Sequence, residues 1–406
     1  MNLQIPWLAN ITAAGILLIL FIRLSPSYFS YAFFLFLIFF SYIFFKSRKE
    51  IIPQSMPDGA LRLPIIGILV FYATMLIASI LSTDLKNMSK SIELFYLALP
   101  FPMMWYLRYF YNVDWGIKLG AILSAFIICF YSFFYQFNVA GNRISGFYGQ
   151  PNDFGSVLYL LILLLFYFAL LEKNIWIRLS IGAAIAVCLT ALYLTESRGS
   201  MLSLSVGIFS AAIILLRTKS ITLTVKQRIS LLAASLFLIA TCITGAYMIQ
   251  SNRGIQEQAL GGERNLMHQA SIQIWTDHKL IGIGLTHWQD FYYSPDYHPK
   301  TGTERDLPHA HNMTLQILST TGILGGLGYL SFIVLMALGI YRSSVYLDNK
   351  VAFAIITAVF IASTVHGLVD IPQLNRFPAR IYFALLGYYF ALCHLAKTHK
   401  LSTSKK

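Results

Sequence analysis

Long apolar runs separated by short polar segments occupy most of the chain. A run of about 20 apolar residues is long enough to cross a bilayer as a helix. The fourth run is interrupted by "LPFP", and the first is short. The pattern predicts twelve membrane-spanning helices, at residues 7–23, 27–45, 63–82, 92–112, 116–139, 154–171, 177–195, 200–216, 229–249, 322–341, 351–371 and 379–396.

Composition supports an integral membrane protein. Hydrophobic residues make up 57% of the chain and charged residues only 12%, with a mean hydropathy of +0.65, whereas soluble domains carry about 25% charged residues. Basic residues set topology when they lie in cytoplasmic loops, so the net charge of +13 does not imply nucleic acid. The basic inside loops then place both chain ends in the cytoplasm. They are "KSRKE", "EKNIWIR", "RTKSITLTVKQR", "RSSVYLDNK" and the tail "KTHKLSTSKK".

We expect four regions: nine helices in 1–249, an outside loop at 250–311, three helices in 312–396 and a basic tail at 397–406. The fold class is therefore all-α and polytopic. The loop holds six of the nine histidines, and a loop of this length is usually functional. Within it, "ERNLMHQASIQIWTDH" has the spacing of an amphipathic helix lying along the membrane. The first apolar run lacks a basic start and a cleavage site, which predicts a retained helix rather than a signal peptide. All four cysteines lie in apolar runs, which favours neither a disulfide set nor a zinc knuckle.

Polar groups gather in the outside segments, where topology does not require them. In "GNRISGFYGQPNDFG", Arg143 and Asn152 flank a turn that could also be an ordinary loop. In "LTESRGSM", Arg198 stands between Ser197 and Ser200 at the start of an apolar helix. A helix N-terminus with small residues and an arginine suits an anion. The alternative is an arginine that reaches to lipid phosphate.

The loop adds a third arginine and a histidine pair. Arg264 lies in "GGERN" and could be a solvated charge. His309, His311 and Asn312 stand just before an apolar helix, whose N-terminus favours a neutral imidazole that can accept a proton. A structural histidine is the alternative. Zinc is another, with His287 or His298 completing the pair; however, no cysteine or carboxylate completes a familiar spacing, so we expect no metal.

Together these groups fit transfer from a lipid-linked diphosphate. Two guanidinium groups could hold the growing charge of the leaving group without a metal. A neutral histidine could take the proton from an attacking hydroxyl.

The segments "RISGFYGQPNDFG", "TESRGSM", "IWTDHKLIGIGLTHWQDF", "HAHNMTLQILSTTGILGGLGYL" and "HGLVD" resemble the O-antigen ligase and polymerase superfamily of bacterial envelope glycosyltransferases. The resemblance covers roughly residues 140–375 and implies a metal-independent, C-type membrane glycosyltransferase of the inner membrane, without a cofactor. Its motifs place catalytic roles at Arg198, Arg264 and His311, with His309 as the alternative base. Asp370 matches a recurrent acidic position that could pair with an arginine. One departure is Lys279, which stands where the family has a proline.

The resemblance implies an undecaprenyl diphosphate-linked glycan as donor, with the active site facing the periplasm. In the ligases the acceptor is a sugar hydroxyl of lipid A–core. In the polymerases it is another lipid-linked repeat unit. The motifs favour the ligase. A flippase or transporter of lipid-linked sugars is an alternative, but transporters often show two related halves and midplane sites. Neither is visible here.

Overall fold

The computed structural model describes residues 6–22, 59–82, 84–136, 143–218, 254–297, 308–348 and 350–403, with 37, 38, 41, 42, 45, 240 and 244. Over these residues the protein is built from helices. Short 3₁₀ turns lie at Gly59–Leu61, Gly146–Tyr148 and Ser344–Tyr346. The helices are α1 Pro6–Phe21, α2 Leu63–Leu81, α3 Leu85–Tyr96, α4 Pro100–Phe110, α5 Asp114–Tyr135, α6 Pro151–Leu171, α7 Ile175–Leu194, α8 Arg198–Arg217, α9 Gly254–Asp277, α10 Trp288–Tyr292, α11 Met313–Ser343, α12 Val351–His366 and α13 Arg376–Thr403.

Within the described ranges, seven helices are long and apolar enough to cross a membrane, namely α2, α5, α6, α7, α8, α11 and α13. Two shorter apolar helices lie at Trp7–Phe21 and Val351–His366. These helices support a multi-pass, all-helical membrane protein. Nearly all of the predicted spans 27–45 and 229–249 lies outside the described residues, so the number twelve stays a prediction.

The predicted span 92–112 is corrected by the structure into two helices. α3 ends at Tyr96, and α4 begins at Pro100 after a turn. Proline lacks a backbone N–H and is tolerated in the first turn of a helix but not in its interior, which is why "LPFP" marks a boundary. α4 has 11 residues, fewer than the roughly 17 that a spanning helix needs.

Small residues allow the spanning helices to approach closely. A Cβ added at Gly207 of α8 would lie 3.0 Å from the carbonyl oxygen of Ala358 on α12. A Cβ at Gly67 of α2 would lie 3.4 Å from the Cα of Phe332 on α11. Lipid tails are as apolar as leucine, so close packing of this kind is a main source of association between helices in a membrane.

Helix α11 is broken at Gly322, which has φ 65° and ψ −162°. The segment 279–284 fills the break through backbone hydrogen bonds. Ile323 N donates to Lys279 O at 2.7 Å, and Gly284 N donates to Thr320 O at 2.8 Å. Irregular backbone at a membrane is stable where other parts of the protein satisfy it. The break therefore fixes the segment that follows α9 against residues 319–324 of α11.

The same segment is attached to α3. The buried Asn87 side chain accepts hydrogen bonds from Thr286 N at 3.0 Å and Thr286 Oγ1 at 2.8 Å. His287 Nε2 lies 2.5 Å from Asp84 Oδ2. The segment after α9 is therefore attached both to α11 and to α3.

Candidate functional site

Four segments meet at one end of the bundle: the starts of α6, α8 and α11 and the turn after α12. A Cβ at Gly155 of α6 would lie 2.4 Å from Ser200 Oγ of α8. A Cβ at Gly199 would lie 2.6 Å from Val369 Cγ2. Met313 N donates to Gly367 O at 2.7 Å. These contacts bring the turns with Asn152, Arg198, His311 and Asp370 together.

Asp370 lies among three histidines. Its Oδ1 is 3.8 Å from His309 Nε2 and 3.8 Å from His311 Nδ1. Its Oδ2 is 4.0 Å from His366 Nε2. The Asp370 side chain is only 6% exposed, and Ile371 N donates to Oδ1 at 2.9 Å. The sequence did not predict this arrangement, because it depends on the tertiary contact between α11 and the turn after α12.

Backbone strain coincides with this end of the bundle. Over the described residues, Glu196 and His311 are the two non-glycine residues with positive φ, at 51° and 49°. Such conformations are uncommon outside glycine and persist where the surrounding structure enforces them. Glu196 directly precedes the start of α8, and His311 directly precedes the N-cap of α11. Two of the four segments that the sequence singled out, the turns before α8 and α11, thus contain a strained residue.

Burial keeps the imidazoles neutral. The pKa of His311 is lowered from its ordinary 6.5 to about 4 by burial first and by the nearby His309 second, although Asp370 acts in the opposite direction. Burial also lowers the pKa of His309. The sequence predicted a neutral His311 from the helix N-terminus, whereas the largest cause is burial. Burial raises the pKa of Asp370, but the nearby histidines outweigh it, so that the net shift of this pKa is downward.

Arg264 lies on α9 and is exposed. His268 lies one helical turn further along the same helix. Positive charge on Arg264 lowers the pKa of both His309 and His311, so it lies close enough to act on them electrostatically. Met267 and Ala270 of α9 pack with Trp288 and Ala310, which holds this helix against the histidine turn.

The turn before α8 is internally bonded. Ser197 is the N-cap residue of α8, and its Oγ lies 2.9 Å from Ser200 Oγ, both side chains being buried. Arg143 Nε donates to Thr195 O at 3.0 Å, which attaches the segment before α6 to this turn. Arg198 is the first residue of α8. The serines therefore shape the turn that presents Arg198.

Asn152 and Asn312 lie at helix starts. Asn152 is the second residue of α6 and is partly buried. Asn312 is the N-cap of α11: its Oδ1 accepts from Leu315 N at 3.0 Å, and its Nδ2 donates to Leu368 O at 3.1 Å. Asn312 thus connects the histidine turn to the turn that carries Asp370. Gln316 completes the turn by accepting from Ala310 N at 2.8 Å.

His366 is a site residue that the sequence did not single out. It is buried, its Nε2 lies 3.0 Å from Ser156 Oγ of α6, and its Nδ1 lies 3.4 Å from Ser203 Oγ of α8. The signal was the four-residue spacing to Asp370 in "HGLVD"; in the turn after α12, Asp370 N donates to His366 O at 2.9 Å. His366 links both neighbouring helices to Asp370.

His309, His311 and Asp370 are also a donor set for a metal. Their ligand atoms lie within 4.8 Å of one another. The sequence showed no carboxylate at a familiar spacing from the histidine pair, whereas the fold brings Asp370 to it. His287 contacts Asp84 instead, and His298 lies outside the described residues.

His309 Nδ1 accepts a hydrogen bond from His311 N at 3.2 Å. A neutral His309 then carries its proton on Nε2, the atom facing Asp370. Binding a metal through Nε2 would require that this proton move to another atom.

Comparison with known proteins agrees with the sequence motifs. No curated protein matches the chain. Residues 183–330 match the family model Wzy_C, described as O-antigen ligase. The matched interval includes Arg198, Arg264, His309 and His311 and ends within α11. Residues 183–330 are therefore similar to an O-antigen ligase domain, and this similarity supports a place for the chain in the O-antigen ligase and polymerase superfamily.

Proposed function

We propose that this protein is an O-antigen ligase. It transfers a polysaccharide from undecaprenyl diphosphate to a sugar hydroxyl of lipid A–core, at the periplasmic face of the bacterial inner membrane. The family match supports glycosyl transfer with a lipid-linked glycan and a lipid acceptor. The gathering of Arg264, His309, His311 and Asp370 at one end of an apolar bundle supports a site at the membrane surface.

The observation that carries the proposal is the placement of His311. Its Nδ1 is buried and lacks a hydrogen-bond partner within the described structure, while Asp370 Oδ1 stands 3.8 Å away. That separation is too long for a hydrogen bond, but catalytic hydrogen bonds are often long without substrate and tighten in the complex. Because the side chain is 18% exposed and Nδ1 is buried, the opposite nitrogen, Nε2, is the atom we assign to the substrate. A neutral imidazole with a carboxylate behind it is the arrangement of a general base.

The chemical step is a single displacement. Nε2 of His311 accepts the proton of the acceptor hydroxyl while the hydroxyl oxygen attacks the anomeric carbon of the donor sugar. The bond between that carbon and the diphosphate oxygen breaks, and undecaprenyl diphosphate leaves with the electron pair. Asp370 then stabilises the imidazolium, and Arg198 and Arg264 neutralise the diphosphate. The scheme needs no metal and no cofactor.

The remaining predicted site residues have supporting roles in this scheme. Ser197, Ser200 and Arg143 shape the turn of Arg198. Asn312 fixes the histidine turn through its cap and its bond to Leu368 O. Asn152 lies in the first turn of α6, and we propose that its side chain faces the donor. His309 shares Asp370 with His311 and is the alternative base.

The polymerase of the same superfamily is the second candidate, because the family match covers both reactions. A ligase and a polymerase differ in the acceptor that the enzyme admits, and the site residues described above serve either reaction. A transporter is less consistent with these features, since the ionisable groups gather at one end of the bundle rather than at its middle.

A lipopolysaccharide gel tests the proposal. The protein and its His311→Ala variant are expressed in separate strains that lack their own ligase or their own polymerase. O-chain ladders restored only in the ligase-null strain, and lost with His311→Ala, would support the ligase. Ladders restored only in the polymerase-null strain would replace it with the polymerase. Ladders that persist with His311→Ala would remove the proposed base.

A further inference from the structure

An apolar groove of about 480 Å³ lies beside the site, in the angle of the break in α11. Both arms of the helix form its walls: Ile317 and Leu318 before the break, and Leu327 and Leu330 after it. Its volume is within the range of about 300–1,000 Å³ that is typical of small-molecule sites. Leu327 and Leu330 are each 58% exposed, so the groove opens sideways, toward the lipid.

One end of the groove is lined by residues that also hold the candidate site together. Gly367 and Leu368 line this end, and they are the residues whose carbonyls accept from Met313 N and from the Asn312 side chain. Asp370 follows two residues later. A molecule lying in the groove therefore has its head at the histidine turn and its body among leucine and isoleucine side chains.

From this continuity we infer that the groove binds the isoprenoid chain of the donor, nearest to the diphosphate. The inference rests on the proposed function and adds where the donor lies. In a polyprenyl diphosphate donor, only the diphosphate separates the apolar chain from the reacting carbon. In the lipid A–core acceptor, the core saccharide separates the acyl chains from the reacting hydroxyl. An apolar groove that touches the site therefore fits the chain of the donor and not that of the acceptor.

The break in α11 is what creates this groove. A continuous helix would bring residues 314–318 and 327–333 into one straight line, without an angle between them. Gly322 allows the angle, and the segment 279–284 holds it open through its backbone hydrogen bonds. The segment 279–284 therefore stabilises the same break in α11 that forms the groove.

Photolabelling of the full-length protein tests the inference. The probe is undecaprenyl diphosphate with a diazirine on the isoprene unit next to the diphosphate, incubated with protein in phosphatidylglycerol-containing nanodiscs. The expected labels lie within residues 323–333 and 364–368, and excess undecaprenyl diphosphate removes them. Labels on another helix, such as the exposed face of α7, would overturn the inference. So would labels that extra phosphatidylglycerol removes equally well, since they would mark an ordinary lipid groove.

A matched pair of variants strengthens the test. Leu330→Trp fills the groove, whereas Leu338→Trp adds the same bulk two helical turns further along α11, outside it. We expect labelling of Leu330→Trp to fall by roughly tenfold, the lower end of what one group of excess size costs in an apolar pocket. Labelling of Leu338→Trp should match the unaltered protein. Equal labelling of both variants would overturn the inference.

The labelling is independent of turnover. If the protein is labelled in the groove but transfers no glycan to any acceptor, the inference about the groove is supported and the proposed function is wrong. If the protein transfers glycan but its labels lie elsewhere, the proposed function is supported and the inference about the groove is wrong.

Discussion

At the scale of single residues, Asp370 explains why a histidine pair lies at the start of α11. A buried carboxylate is costly unless charge or hydrogen bonds compensate it. Here the Ile371 N–H donates a hydrogen bond to it, and three imidazoles lie within 4.0 Å. In return it can stabilise the imidazolium that forms when His311 takes a proton. The pair and the carboxylate are therefore parts of one unit.

Replacing His311 by alanine should lower the rate of transfer by about 10²–10⁴-fold, the usual contribution of a general base. Donor affinity should change little, because the arginines that hold the diphosphate remain. Purified variants are compared in a transfer assay and in a donor-binding assay. His399→Ala, an exposed histidine near the end of α13, is the control. A rate within twofold of the control would contradict the role of His311.

The pH profile of transfer should follow the lowered pKa of His311. The imidazole works as a base only when neutral, and burial keeps it neutral down to about pH 4. Activity measured as kcat/KM should therefore stay level from pH 7 to about pH 5 and fall as the pH approaches 4. An unperturbed histidine would instead lose half its activity near pH 6.5. A midpoint near 6.5 would show that His311 is not buried in the working enzyme, or is not the base.

Local sequence was enough to single out His311, Arg198 and Arg264, because each is a polar residue placed where topology does not require one. Their partners were harder to predict. The contact of Asp370 with the histidines joins residues that are distant in the chain, and the role of His366 depends on Ser156 and Ser203 from two other helices. The sequence also could not show that Asn312 is engaged as a helix cap.

At the scale of elements, hydropathy predicted spanning helices well where the apolar run was uninterrupted. It was wrong at 92–112, where the apolar composition outweighed the visible interruption by "LPFP", the segment that separates α3 from α4. It also began a span at Gly322, but gave no sign that the helix continues back to Met313 across a break at that residue. The break becomes visible only with the segment 279–284 that fills it.

Gly322→Ala should disturb this junction. The φ and ψ of Gly322 lie in a region that is essentially restricted to glycine, and an added Cβ would lie 2.3 Å from the Leu280 backbone. We expect the variant to lose at least about 1–3 kcal/mol of stability and most of its transfer activity. Gly182→Ala on α7 is the matched control, because a Cβ there meets nothing within 4 Å. Thermal unfolding in detergent measures both; equal melting temperatures would contradict the account of the junction.

At the scale of the whole molecule, the site end of the bundle should face the periplasm. Cysteines introduced at exposed positions test this. Leu280→Cys lies on the segment beside α9, and Val345→Cys lies after α11 at the opposite end. In intact cells a membrane-impermeant thiol reagent should modify the first and spare the second until the membrane is permeabilised. The reverse pattern would place the site in the cytoplasm and exclude a periplasmic ligase.

The most direct test of the central claim is transfer by the purified protein. Undecaprenyl diphosphate-linked glycan and lipid A–core are supplied together with excess chelator, and the products are separated by mass. The account predicts glycosylated lipid A–core, one undecaprenyl diphosphate released per glycan, and loss of product in His311→Ala. Donor that is consumed only by extending a second donor molecule, or activity that chelator abolishes, would contradict it.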